Sequence, residues 1–292
     1  MSLYLVLQTE LGEEDRLRKF LEALGVKGTV SSPCAVRLKD IDKEKFENEW
    51  RHKAISMKID ASWVDPNLKL SNFHLFATDM DSTLLQLETL DEIATLAGKG
   101  EEVSRITDLS MKGHIHNFSE SLRMRVAMLK GVDFEIVERV LRNPILPSPG
   151  APDLIAELTW RKIPTVLISG GFSCVTNVIK ERYGFTYVLS NELGVDEHGK
   201  LTGECWGPRG TAIIDGIGKL AYVSTYANEY GCNMSQVITM GDGSNDIPML
   251  SGAGMSVAWH AKPKVRPHAK YALDFAPLSG ILPLFSDYHK EL

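Results

Sequence analysis

The sequence predicts an α/β protein: a Rossmann-like parallel sheet core with a helical insert, plus a small N-terminal α/β domain. Three patterns in its 292 residues carry that prediction. Past residue 150, short apolar runs alternate with helical periodicity, as a parallel sheet with right-handed crossovers requires. Between residues 88 and 141, apolar residues recur three and four apart. Ahead of both, residues 1–70 hold an arrangement of strand, helix, strand and helix.

In chain order, residues 3–8 ("LYLVLQ") read as a strand, and Leu17, Phe20, Leu21 and Leu24 follow at helical spacing until Gly25. A strand around Cys34–Leu38 and a helix through Lys43–Ile55 complete the first unit. "VDPNLKLSNF", with Pro66 and two asparagines, reads as a linker and puts the boundary near residue 70, leaving 71–292 as the larger domain. That domain opens with "FHLFATDMDSTL", an apolar run ending in Asp79 and Asp81. Helices are expected over Glu88–Ala97, Glu101–Met111, Phe118–Leu129 and Phe134–Leu141, an insert at about 86–146 closed by the four prolines of "NPILPSPGAP". Then come a helix over 152–161, a strand ending at Ser169, a helix over 173–183 and the strand "YVLSN". A helix around 213–230, the strand "QVITMGD", a helix from Asp246 and the strand "MSVAW" complete the alternation.

Bulk properties exclude several classes. Hydrophobic residues at 43% and charged residues at 24% match a globular protein rather than a disordered one. A net charge of −6 argues against nucleic acid, whose phosphates need a basic face, and prolines break the one dense basic stretch, Lys262–Lys270. Cys34, Cys174, Cys205 and Cys232 form no C-x-x-C pair, so they read as reduced thiols. No apolar run reaches the roughly 18 residues a membrane span needs, and the N-terminus lacks a signal peptide's basic start. A cytoplasmic location is expected, with no membrane or nucleic-acid partner.

Three strand ends carry the chemistry: Asp79-Met-Asp81, Ser169-Gly170-Gly171, and Gly241 through Asp246. In a parallel sheet, ligands bind at the carboxyl ends of strands. Carboxylates crowded there repel unless a cation neutralises them, and hard oxygen ligands suit Mg²⁺. Calcium loops are excluded, because "DMDSTL" and "DGSNDI" lack the glycine at position six and the glutamate at position twelve. No dinucleotide fingerprint or P-loop follows the strands, "GGFSC" is not a serine-hydrolase elbow, and His114, His116, His198, His260 and His268 have no acidic or cysteine partner at ligand spacing.

Read together, these segments resemble the haloacid dehalogenase superfamily of aspartate-nucleophile phosphohydrolases, which uses D-x-D-x-T, a Ser/Thr strand end, a lysine and an acidic G-D-x-x-x-D segment. "DMDSTLLQLETLDEIA", "FSESLRMRVAMLKG", "LISGGF", "NELGVDEHGKLTGECWG" and "MGDGSNDIPML" are similar, more narrowly, to the phosphoserine phosphatase family. The likeness runs from about residue 70 to the C-terminus and makes the helical insert a cap.

The resemblance implies Mg²⁺-dependent hydrolysis of O-phospho-L-serine, with Asp79 as nucleophile and Asp81 as acid and then base. It implies metal ligation by the Asp79 side chain, the Asp81 backbone carbonyl and Asp242, with Asn245 and Asp246 ordering the surroundings. Ser169, the Gly170 amide and Lys219 are implied to hold phosphate, although "GPRGTAIIDGIG" before Lys219 departs from the polar segment usual there. Glu88 is implied to meet the substrate ammonium and Arg125 its carboxylate, behind an apolar wall of Met111 and Phe118. Another small phosphomonoester, a phosphotransfer acceptor, or amino-acid sensing by an ACT-like residues 1–70 remain alternatives. The same N-terminal unit could instead form a homodimer.

Overall fold

The computed structural model describes residues 3–142 and 146–288, without the side chain of Met111; part of the proline-rich stretch therefore lies outside the described residues. The first unit holds β1 (Tyr4–Gln8), α1 (Glu14–Leu24), β2 (Thr29–Ser32), β3 (Ala35–Leu38), α2 (Lys43–Glu49), α3 (Arg51–Ser56) and β4 (Asp60–Val64). Its strands pair antiparallel in the order β2-β3-β1-β4. Successive side chains of a strand face opposite ways. Leu5 and Leu7 accordingly pack with Phe20 and Phe46 of the unit's own helices, while Val6 joins Val64 and Leu70 in the core of the larger unit. The helix expected over Lys43–Ile55 is broken at Trp50, whose ring packs edge-on against Phe20 at 5.8 Å. Periodicity does not reveal β2 and β4, edge strands in which Ser, Thr and Asp interrupt the apolar positions.

Polar contacts fasten this unit to the rest of the chain. The buried Asp60 carboxylate accepts the amides of Asp274, Phe275 and Ala276 at 2.8–2.9 Å. Arg37 donates to the carbonyls of Pro283 and Phe285 at 2.8 and 2.6 Å. The segment read as a linker is itself packed: Leu70 is fully buried, and its amide donates to Asp287 Oδ1 at 2.6 Å. Replacing Asp60 by Ala strips three amides of their acceptor. Unmade buried hydrogen bonds are costly, so equilibrium urea denaturation is expected to find Asp60→Ala less stable by about 2–4 kcal/mol.

The larger unit begins with β5 (Leu75–Thr78) and then the insert, α4 (Thr89–Leu96), α5 (Gly100–Met111), α6 (Phe118–Ala127) and α7 (Glu135–Arg142). The sheet continues through α8 (Ala151–Trp160), β6 (Thr165–Phe172), α9 (Ser173–Tyr183), β7 (Tyr187–Val195), β8 (Leu201–Trp206), α10 (Gly216–Glu229), β9 (Val237–Gly241), α11 (Ile247–Gly252), β10 (Met255–Trp259) and β11 (Tyr271–Leu273). Strand order is β11-β10-β9-β5-β6-β7-β8, parallel except for the β7–β8 hairpin. That antiparallel edge is not anticipated by the sequence, because Gly203 and Glu204 interrupt "LTGECW". The insert has its own core of Leu90, Ile93, Val126 and Val137, which reaches Phe172 and Leu201. Because β5 lies between β9 and β6, the strand order reverses at it, and a crevice opens at its carboxyl end. Among the described residues, no helix is long and apolar enough to cross a membrane.

Candidate active site

β5 delivers Asp79 to that crevice with its backbone still extended, its amide bonded to the Met240 carbonyl of β9 at 3.1 Å. The chain then turns tightly through Met80–Leu84, with Ser82 in the left-handed region at φ 57°. Such a conformation is costly for a residue with a side chain. Here the Ser82 hydroxyl donates to Glu88 Oε1 at 2.8 Å. The turn separates the two aspartates: Asp79 faces the sheet, whereas Asp81 accepts the amide and hydroxyl of Thr89, the first residue of α4, at 3.2 and 3.1 Å.

Lys219 lies on the first turn of α10 and is fully buried. Its ammonium donates to Asp79 Oδ1 at 2.5 Å and to Asp246 Oδ1 at 2.7 Å. The other Asp246 oxygen accepts the amides of Asp242 and Gly243 at 3.2 and 2.9 Å, and Asp242 Oδ1 accepts from the Thr83 hydroxyl at 2.9 Å. Burial works against the Lys219 charge, but Asp246 and Asp79 outweigh it and hold the ammonium above its ordinary value. Burial, then the Asp246 charge, pushes the Asp79 carboxyl well above the usual carboxylate range, with Lys219 pulling it back. Burial and then Glu88 push Asp81 up to about 7, and burial and then Asp246 push Asp242 up to about 6. The two aspartates of the motif thus have different partners: one an ammonium, the other a neighbouring carboxylate. A carboxyl with its pKa near neutrality can donate and then accept a proton.

Ser169 and Gly170 sit beside this cluster at the end of β6. Pairing with β7 slips between Ile168 and Phe172, so the Ser-Gly-Gly segment leaves the ladder. Gly171 donates its amide to Ser169 Oγ at 2.8 Å, and a Cβ at Gly171 would lie 3.1 Å from Asp81 Oδ2. At Gly170, a Cβ would collide with the ring of Phe118, which the cap lays directly over this glycine. Phe118 and Arg125 are seven residues apart on α6 and so share a face. The Arg125 Nε is buried and has no hydrogen-bond partner among the described residues. Glu88 is exposed at the start of α4, close enough for its charge to act on both Asp81 and Asp242.

The donor set fits a metal ion. Carboxylate oxygens of Asp79, Asp242 and Asp246 lie within 4.8 Å of one another, and one ammonium answers three acids. Both Asp246 oxygens are engaged by Lys219 and two amides, whereas Asp79 and Asp242 each keep an oxygen to which no described residue donates. Hard oxygen donors short of positive charge are what a hard divalent cation requires.

The structure therefore brings together Asp79, Asp81, Asp242, Asp246, Lys219, Ser169 and Gly170, with Glu88 and Phe118 at the rim. Lys219, whose preceding loop looked foreign, is the most buried cation of the cluster. Asn245 is half-buried within the Ser244–Asp246 turn. The side chain of Met111 lies outside the described residues. Sequence reasoning passed over Thr89, and its only signal is its place as the first residue of a helix beside the motif. It also passed over Asn191, which lies in the middle of β7, the strand beside Ser169.

A buried acid-and-lysine cluster at the switch point of a parallel sheet, under a helical cap, defines a class. The chain belongs to the haloacid dehalogenase-like hydrolase family, which it matches over residues 76–251. It is 41% identical over 233 residues to a phosphoserine phosphatase of Polaromonas sp., covering 79% of this chain and 97% of the relative. To the phosphoserine phosphatase of Haemophilus influenzae it is 39% identical, covering 79% and 71%. Among solved structures, a phospho-aspartyl intermediate analogue of phosphoserine phosphatase superposes with TM-score 0.66 at 38% identity, covering 75% of this chain and 99% of that one. The unliganded probable phosphoserine phosphatase of Vibrio cholerae superposes with TM-score 0.79 at 31% identity over 98% of this chain and 86% of its own. At that coverage the N-terminal unit is included.

Proposed function

We propose that this chain hydrolyses O-phospho-L-serine to L-serine and phosphate, with Mg²⁺ as its metal, the last step of serine biosynthesis in the family it resembles. The observation that carries the reading is the buried Lys219 ammonium between Asp79 and Asp246, which draws the nucleophilic carboxyl back toward its ionised form against the effect of burial. Relatives named for this activity, at 39–41% identity, support the substrate.

An Asp79 oxygen attacks phosphorus, the bond to the serine oxygen breaks, and Asp81 gives that oxygen its proton. Asp81, now ionised, takes a proton from water as the water attacks the aspartyl phosphate, and the bond to Asp79 breaks to release phosphate. Splitting one hard displacement into two is the benefit of a carboxylate nucleophile. Ser169, the Gly170 amide and Lys219 hold the phosphoryl oxygens. Asp79, Asp242 and the Asp81 carbonyl would hold Mg²⁺, with Asn245 and Asp246 ordering the surroundings; when bound, it neutralises charge between nucleophile and phosphate dianion.

Glu88 and Arg125 read the two charges of the amino acid, and Phe118 closes the apolar side. Arg125 fits the carboxylate because its buried Nε has no hydrogen-bond partner among the described residues. Arg125→Ala is expected to lower kcat/KM for phosphoserine by about 10- to 100-fold, the value of a charged hydrogen bond, while hydrolysis of p-nitrophenyl phosphate stays near wild type. Steady-state kinetics on a panel of phosphomonoesters, with and without Mg²⁺, decides the reading. Unaltered phosphoserine kinetics in this variant would remove Arg125 as the reader of the substrate carboxylate, and faster turnover of another phosphomonoester beside it would remove phosphoserine as the substrate. A cytoplasmic location, and a dimerising or regulatory role for residues 1–70, belong to the same proposal.

A further inference from the structure

We infer that Asn191 is a positioning residue that sets the geometry of both phosphate-binding elements, through hydrogen bonds from the two ends of one carboxamide. Asn191 lies on β7 and is fully buried. Its Nδ2 donates to the Gly170 carbonyl at 2.8 Å, and its Oδ1 accepts the Ile214 amide at 2.8 Å. The partners fix the amide's orientation, since a carbonyl requires the nitrogen and an N–H requires the oxygen.

Each bond acts where the fold has left a gap. Because the β6 pairing slips by two residues between Ile168 and Phe172, the Gly170 carbonyl stands outside the strand ladder, and Asn191 replaces the lost partner. Holding that carbonyl fixes the plane of the Gly170–Gly171 peptide. The amide of the same peptide donates to Ser169 Oγ, which occupies a lone pair and leaves the hydroxyl proton to point elsewhere, at an incoming phosphate oxygen. On the other side, Ile214 immediately precedes Asp215, whose side chain caps α10 by accepting the Gly218 amide at 2.9 Å, one residue before Lys219. The neighbouring Glu192 accepts the Arg209 amide at 3.0 Å and the Trp206 indole at 2.7 Å, so β7 fastens both ends of the loop that looked foreign in the sequence. The spacing between the Ser169 hydroxyl and the Lys219 ammonium is thereby referred to one side chain.

The inference rests on the reading of Ser169, Gly170 and Lys219 as phosphate binders, and the test separates the two. Asn191→Leu keeps the volume and removes both bonds; Asn191→Asp keeps the acceptor for Ile214 and faces Gly170 with a second acceptor. In the full chain with Mg²⁺, the inhibition constant of inorganic phosphate is expected to rise about tenfold in either variant, and kcat/KM to fall about 10- to 100-fold. The inhibition constant of L-serine, held by the cap, is expected to stay within about twofold. Loss of folded protein alone would change the rate and neither constant. Two constants that move together, or a phosphate constant that stays put, overturn the inference; if Asn191→Leu does not fold, Asn191→Asp decides. A wild type that hydrolyses p-nitrophenyl phosphate but not phosphoserine removes only the substrate, and the phosphate constants still decide. A wild type that hydrolyses neither overturns both readings.

Discussion

Asp79→Asn is expected to yield a folded protein that releases phosphate from phosphoserine at no more than about one ten-thousandth of the wild-type rate. The carboxamide has the carboxylate's shape but no ionised oxygen with which to attack phosphorus. Asparagine fills the same volume at the end of β5, and Lys219 keeps its bond to Asp246, so the local fold has what it needs. The measurement is an initial rate with Mg²⁺ beside a circular dichroism spectrum. A variant that keeps a tenth of the wild-type turnover would move the nucleophile elsewhere.

Lys219→Met strikes the same cluster from the opposite side and is expected to damage folding as well as rate. Breaking a buried ion pair by removing one partner costs about 3–5 kcal/mol, because the remaining charge is left uncompensated. Removal of a charge aimed at the transferring phosphoryl group is expected to lower kcat by about a thousandfold. The stability loss should also depend on pH. Asp79 already titrates above its ordinary range, and without the ammonium it moves further up. A carboxyl raised in the folded state contributes stability that is full below its unfolded value, about 3.9, and is lost as pH climbs through the folded value. The gap between variant and wild type is therefore small near pH 4 and wide at neutrality. Urea denaturation in EDTA at both pH values tests it: an equal gap means that Lys219 does not hold Asp79 in its charged form.

What could be read in advance follows from where the information lies in the chain. The four cap helices and the central parallel strands announce themselves because burial imposes a period on neighbouring residues, as in Leu90, Ile93 and Ala94 or in "VLIS" before Gly170. β2, β4, β8 and β11 are short or polar edge strands, and half of what makes each a strand belongs to its partner. Trp50 ends a helix for a reason supplied by Phe20, thirty residues earlier. The site divides the same way. Asp79, Asp81, Ser169 and Asp242 stand at strand ends, where the abrupt change from apolar to polar marks them. Thr89 acts on Asp81 across a tight turn, and Asn191 on the backbone of Gly170 and Ile214, 21 and 23 residues away; periodicity marks neither. Lys219 lies between: its residue type suggested a role, but only its two carboxylate partners, 140 and 27 residues away, define it.

The two faces of β1 set the terms on which this chain can change. Leu5 and Leu7 answer to one core and Val6 to another. A substitution on that strand is therefore judged by whichever interior it enters, although the positions adjoin. The N-terminal unit cannot be exchanged like a bead on a string. Any replacement must bring its own hydrophobic contents and also a second wall that does for the larger unit's core what Val6, Val64 and Leu70 do, together with an acid where Asp60 stands. The enzyme and its first seventy residues form a joint inheritance, in which the borders of each are written partly in the other.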